Sequence, residues 1–176
     1  MFHRSLFLLL LFFIAACGST TENRDPTGER FPSVVGESLS GEEMKLPGDL
    51  AGKPALLLIG YVQDAQFDLD RWLLGLMQAG VDIPLYEVPT IDGLVPGMIA
   101  GSIDEGMRSG IPKEDWGSVV TVYGDADQIV AFTGDENPRN GRIVLLDADG
   151  KVAWFHDRGY SARLVLEIQE KLKALR

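Results

Sequence analysis

Residues 55–78 read ALLLIGYVQDAQFDLDRWLLGLMQ. Leu56, Leu57, Leu58 and Ile59 form an unbroken aliphatic run with no polar face, as expected of a strand covered on both sides in an α/β sheet. Gly60-Tyr61 ends the strand segment Ala55–Val62, and from residue 65 to 79 the period changes. Leu69, Trp72, Leu73 and Leu76 stand at i, i+3, i+4 and i+7, one buried helical face, and Gly80 stops the helix. A buried strand therefore feeds a helix, a junction where α/β folds often place their chemistry. The junction reads Gln63-Asp64-Ala65-Gln66-Phe67-Asp68, without cysteine, histidine, a serine nucleophile or a glycine-rich loop.

Working towards the N-terminus, the domain opens with Val34-Val35-Gly36 and a short strand over 43–46, with Pro47-Gly48 as a turn. Residues 18–33, GSTTENRDPTGERFPS, carry no apolar period and read as a flexible tether. The first residues differ from all of this. Arg4 precedes nine apolar residues, Leu6 to Ile14, too few to span a bilayer permanently, and Ile14-Ala15-Ala16-Cys17 follows. That tetrapeptide resembles the bacterial lipobox, whose cysteine takes a diacylglyceryl group and becomes the mature N-terminus. Ile14 departs mildly from the usual leucine. The other reading is an ordinary secretory signal with an incidental cysteine. Cys17 is the one cysteine of the chain and has no disulfide partner, which favours acylation. The expected organisation is a signal peptide over 1–16, a lipidated tether over 17–33 and one domain over 34–176.

The chain carries a net charge of −10, one unit more negative once Arg4 is removed. Such a chain has no electrostatic attraction to nucleic acid and is repelled by anionic headgroups. Membrane attachment is therefore expected from lipid, at about 0.8 kcal/mol per buried CH₂ and with two or more acyl chains such as palmitate. Gly18, rather than aspartate, after the cysteine favours the periplasmic face of the outer membrane by analogy with lipoprotein sorting.

Towards the C-terminus, VDIPLYEVPTI reads as a strand. Leu94, Met98 and Ile99 have helical spacing, Ser118–Tyr123 is a third apolar strand, and Ala126–Phe132 is a short helix. Ile143–Leu146 and Val152–Phe155 flank Asp147-Ala148-Asp149-Gly150 as a β-hairpin. Ser161 caps a last helix with Leu164, Ile168, Leu172 and Leu175 on one face.

This order, with GKPALLLIGYV before the first long helix and GRIVLLDADGKVAWFHDRGYSA at the end, resembles the thioredoxin-like fold, in particular its peroxiredoxin-like branch. The fold class implied is an α/β three-layer α/β/α sandwich with a mixed central sheet. Within it, residues 83–116 and the final hairpin are similar to the mitochondrial ATP synthase assembly factor family through Met107, Arg108, Gly110, Ile111, Pro112, Asp147 and Trp154. That resemblance implies a non-catalytic, assembly-type habit. Ala153 stands where that family has a basic residue.

Thioredoxin-type chemistry needs a low-pKa thiolate at the helix N-terminus, and Val62 to Phe67 supply none. The proline that redox members place before the hairpin is replaced by Gly141-Arg142. Asp64, Asp68 and Asp70 have oxygen ligands of the type that suits hard cations, but acids in a first helical turn are also what the helix dipole favours. Asp147-x-Asp149-Gly150 lacks the later ligands of a calcium loop and reads as a turn. His156 is the sole histidine after residue 16; it is either a surface residue at a strand end or, with Asp157, an acid–base pair. No cofactor or metal is expected from this donor set.

Trp116, in a polar loop, is either packed or a binding anchor. Arg108 and Arg158 either form internal salt bridges or bind a carboxylate or phosphate. The expectation is a membrane-anchored, non-redox lipoprotein of the cell envelope that binds a protein or peptide in an assembly or chaperone-like role. Arg108, Trp116 and Arg158 are the first surface candidates and Cys17 is the lipidation site. An envelope hydrolase using His156 with nearby carboxylates is the alternative, and a small-ligand carrier a third.

Overall fold

The computed structural model describes residues 20–93 and 97–175. The leader, Cys17, Leu94 and the side chain of Met98 lie outside the described residues. Seven strands and four helices follow in chain order: β1 (Val34–Ser38), β2 (Glu43–Leu46), β3 (Ala55–Gly60), α1 (Gln66–Gln78), β4 (Leu85–Pro89), α2 (Gly97–Gly110), β5 (Val120–Thr121), α3 (Ala126–Thr133), β6 (Arg142–Leu146), β7 (Val152–His156) and α4 (Ala162–Leu175).

The central sheet has the order β4-β3-β6-β7, with β4 parallel to β3 and the other pairs antiparallel. The aliphatic run of β3 does occupy the interior of this sheet, and Leu56, Leu57, Leu58 and Ile59 are fully buried. Alternate residues serve opposite faces. Leu56 and Leu58 join Leu69, Trp72 and Leu76 of α1 and Leu164, Val165, Ile168 and Leu172 of α4. Leu57 and Ile59 join Ile129 and Phe132 of α3, with Phe31, Val34 and Leu46, on the other face. Each fully buried large side chain in these layers contributes about 1.5–3 kcal/mol. The result is a three-layer α/β/α sandwich with a mixed central sheet.

Gly80 closes α1 as its sequence suggests: its N–H reaches the Met77 carbonyl and the Val81 N–H reaches Leu76, both at 3.0 Å. The hairpin turn also forms, with Asp147 Oδ1 accepting from the Asp149 and Lys151 N–H groups at 2.9 Å. Those bonds occupy the carboxylate as an Asx turn. The Ser161 carbonyl accepts from Leu164 and Val165 at the start of α4.

Three expectations need correction. The apolar stretch Ser118–Tyr123 forms only a two-residue strand, which pairs with β1; parallel bridges Val119–Glu87 and Val122–Thr90 tie it to β4. Ile99 is 53% exposed rather than part of a buried face. Polar contacts hold α2 instead: the Tyr123 hydroxyl reaches Asp104 Oδ1 at 2.8 Å, and Arg108 Nε donates to the Leu39 carbonyl at 2.8 Å.

Residues 20–33, expected to be tether, are packed along the domain. The Thr21 and Asn23 N–H groups donate to Asp135 and Glu136, and Asp135 N–H returns a bond to the Thr21 carbonyl. Further along, Gly28 N–H reaches Val152, Val152 N–H reaches Glu29, and Phe31 N–H reaches Gly150. Gly134 permits the contact: a Cβ there would stand 2.3 Å from the Glu22 carbonyl oxygen, and its φ is +77°. Backbone bonds, the Asn23 side-chain amide and Phe31, edge-on to Phe132 at 5.6 Å, order this strap. An apolar period could not have revealed it.

Candidate functional site

The junction singled out in the sequence lies at the C-terminal end of β3. A 3-10 turn, Gln63–Ala65, carries the chain from β3 into α1. Val62, Gln63, Asp64, Gln66 and Phe67 are exposed there. The three acids do not converge. Asp64 pairs with Arg139 at 3.3 Å and Asp70 accepts from Gln66 at 2.9 Å. Asp68 is buried and turned inward. Among the described residues, no group of three or more His, Cys, Asp or Glu is placed to hold a metal ion.

Asp68 performs a structural task that its position in the first turn conceals. Its Oδ2 accepts from the Gly141 N–H at 2.9 Å and its Oδ1 from the Tyr160 N–H at 2.8 Å. One carboxylate thus fastens α1 to the residue before β6 and to the loop before α4. Such charge-assisted bonds are about twice as strong as neutral ones. A Cβ at Gly141 would fall 2.2 Å from Leu69 Cδ2, so helix and loop meet with no space between them.

Beside it, Arg142 is wholly buried, at 0% exposure. Nε donates to the Gly134 carbonyl (3.2 Å), Nη1 to Asn137 and Asn140 (both 2.8 Å), and Nη2 to Asn23 Oδ1 (3.1 Å). The guanidinium lies 4.8 Å from the centre of the Tyr61 ring. Burial lowers its pKa from the usual arginine value, and the nearby Tyr61, Asp157 and Asp135 act in the opposite sense. Tyr61 in turn pairs with Thr133 Oγ1 at 2.6 Å. Desolvation pushes its phenol up to about 12, although the Thr133 bond acts to lower it. On β4, burial also raises the Glu87 carboxyl, opposed by Gln66 and reinforced by Asp70.

His156 is not a free surface residue. Its ring stacks on Trp154 (5.9 Å, 21°), lies 5.8 Å from Trp72, and its Nε2 sits 3.0 Å from the Gly159 carbonyl oxygen. Trp72, Trp154, Tyr160 and His156 form one aromatic cluster between sheet and helices. An imidazole hydrogen-bonded to a backbone carbonyl is held as a packing element, and the acid–base pair with Asp157 is not among its contacts.

Two of the three surface candidates come together. The Arg108 guanidinium stands 5.8 Å and the Lys113 ammonium 5.9 Å from the Trp116 ring centre. Trp116 is half-buried and its Nε1 donates to the Ile111 carbonyl at 3.0 Å. Arg108 also reaches Glu105 loosely, at 3.8 Å. Arg158 is elsewhere, just after β7, 88% exposed and 3.9 Å from Asp157. Sequence reasoning missed Tyr61, Glu87 and Arg142. The one available signal was an arginine opening an otherwise aliphatic strand after a loop rich in asparagine.

No protein-family model and no curated protein matches the chain. Solved structures do, at the level of fold. A putative electron transport protein from Aquifex aeolicus aligns at 16% identity over 85% of this chain and 98% of that one, with a TM-score of 0.58. BsSco, a member of the Sco family of cytochrome c oxidase assembly proteins, aligns at 12% identity over 88% and 99%, with a TM-score of 0.57. The pneumococcal exposed lipoprotein thioredoxin of Streptococcus pneumoniae aligns at 13% over 80% and 100%, with a TM-score of 0.54. The fold is thioredoxin-like. Its corner lacks the thiol, and a chain with one cysteine cannot form an internal dithiol–disulfide couple.

Proposed function

We propose that this chain is a lipid-anchored, non-redox thioredoxin-like protein of the bacterial envelope that works by binding a protein or peptide in an assembly or chaperone-like role. The observation that carries the reading is the state of the corner. Where a thiol would act, Asp68 and Arg142 direct their hydrogen bonds into backbone and strap. The scaffold is intact, and the buried polar groups beside its corner are committed to structural contacts. Arg108, Lys113 and Trp116 instead form a cationic and aromatic patch at the surface of an acidic domain, a composition suited to an anionic or carboxylate-bearing partner segment. The fold neighbours lend support by kind: one is an exposed lipoprotein thioredoxin and another belongs to a family of assembly proteins.

In-cell crosslinking from a photoreactive residue at Lys113 tests it. A discrete adduct that is lost in both Arg108→Ala and Trp116→Ala, with the fold retained, is the expected result. An adduct unaffected by either substitution removes this patch from the proposal. Thiol-independent hydrolytic turnover abolished by His156→Ala would replace binding with catalysis. Cys17→Ser is expected to stop lipoprotein processing; unchanged processing and membrane retention would refute the anchor.

A further inference from the structure

The strap changes what an anchor at Cys17 can do. Thr21 is fixed by reciprocal bonds with Asp135, and Asn23 by bonds with Glu136 and Arg142. Three residues, and so four Cα-to-Cα steps, separate Cys17 from Thr21, at most about 14 Å of fully extended chain. The polar zone on each side of a bilayer is itself about 7 Å deep. A lipid on Cys17 therefore leaves no room for a free-standing domain. The strap's clamp must lie at the membrane surface.

The clamp borders the strand–helix corner. Arg142 joins Asn23 to the ring of Tyr61, and Arg139 joins the same loop to Asp64. The corner exposes two apolar side chains, Val62 at 43% and Phe67 at 73%. Val62 follows Tyr61, whose ring Arg142 ties to Asn23, and Phe67 lies three residues beyond Asp64, which Arg139 ties to the same loop. Asp64 lies between Val62 and Phe67 in sequence, paired with Arg139, and Asp135 and Glu136 hold the strap, so the acids outnumber the one basic partner, a balance that disfavours an anionic surface and suits one presenting ammonium groups.

We propose that the corner rests on a zwitterionic bilayer, with Val62 and Phe67 at the headgroup level and the opposite end of β3 directed away. The inference rests on acylation of Cys17. The domain is held in one orientation, so the partner it meets is embedded in the membrane or lies against it.

The test uses the full-length chain purified from membranes with its own modification and placed in phosphatidylcholine–phosphatidylethanolamine vesicles. A second arm couples the Cys17 thiol to a maleimide-headgroup lipid, so that orientation is read whether or not the cell acylates it. A ketone-bearing residue at Gln63 or at Lys53 carries a hydroxylamine dye. About 23 Å of extended chain separates Lys53 from the end of β3, so a nitroxide headgroup lipid is expected to quench the dye at 63 at least about three-fold more than at 53. Aqueous iodide gives the reverse order. Val62→Ser with Phe67→Ser reduces the contrast while leaving the circular dichroism unchanged. Equal quenching at both positions in the coupled arm overturns the orientation. Mass analysis of Cys17 separately reads the acylation, so failure of the anchor and failure of the orientation are distinct results.

Discussion

Arg142 and Arg108 each stand beside an aromatic ring, Tyr61 at 4.8 Å and Trp116 at 5.8 Å, yet their surroundings differ in every other respect. Around Arg142 the chain supplies three carbonyls and an amide oxygen at hydrogen-bond distance, and water has no access. Around Arg108 it supplies one carbonyl and a loose carboxylate, with 24% of the side chain exposed. A guanidinium with its donors engaged organises the loops about it and has little left to offer a ligand. One with donors near solvent can still exchange water for a partner's oxygen atoms. The contrast separates the corner of this protein, which holds the fold together, from the α2 surface, which is available for contact.

The sharpest way to break the contrast is Arg142→Ala. It orphans several buried acceptors at once and frees the strap, with an expected loss of about 3 kcal/mol or more in urea unfolding. Arg142→Lys is expected to recover less than half, because an ammonium cannot fork to four acceptors. Asp68→Ala follows, at about 2–3 kcal/mol for two lost charge-assisted bonds; Asp68→Asn, with one acceptor oxygen, falls roughly halfway. Comparable stabilities for these variants and wild type would show that the corner is not the clamp described.

Tyr61→Phe removes the hydroxyl's bonds to Thr133 Oγ1 and the Ile129 carbonyl, about 1–2 kcal/mol at neutral pH. It also removes a pH dependence. The folded phenol stays neutral up to about 12, whereas the unfolded chain's tyrosine ionises near 10.0. The unfolded state binds fewer protons in that window, so wild-type stability falls as pH rises through it, by at most about 1.4 kcal/mol per pH unit. The Phe variant is expected to show a shallower slope there.

Arg108→Ala and Trp116→Ala are expected to cost about 1 kcal/mol or less in stability while abolishing the crosslinked partner. A large stability loss would place this patch with the corner as a structural feature. The smallest effect belongs to Arg158→Ala: the exposed pair with Asp157 should leave the thermal midpoint unchanged.

The aliphatic run of β3, the hairpin and the faces of α1 and α4 were legible because apolar period reports directly on burial. Leu69, Trp72 and Leu76, and later Leu164, Ile168 and Leu172, lie where their spacing puts them. What escaped was held by hydrogen bonds. Asp68 is indistinguishable by position from an acid placed for the helix dipole, and its two acceptor bonds join residues 73 and 92 positions away. The strap is polar at almost every position and is ordered through its backbone. His156 does end a strand, but its contact with Trp72 comes from α1, 84 positions earlier, and no local pattern shows it.

The strap also sets an order in time. Thr21 and Asn23 find their partners 114 and 113 residues later in the chain, and residues 28–31 find theirs around the β6–β7 hairpin. A polypeptide made from its N-terminus cannot close these contacts until nearly all of it has emerged. Such distant pairings are slow to form. If Cys17 is acylated before the strap closes, the protein spends its early life tethered but undocked, and the last act of folding is the one that brings it down onto the membrane.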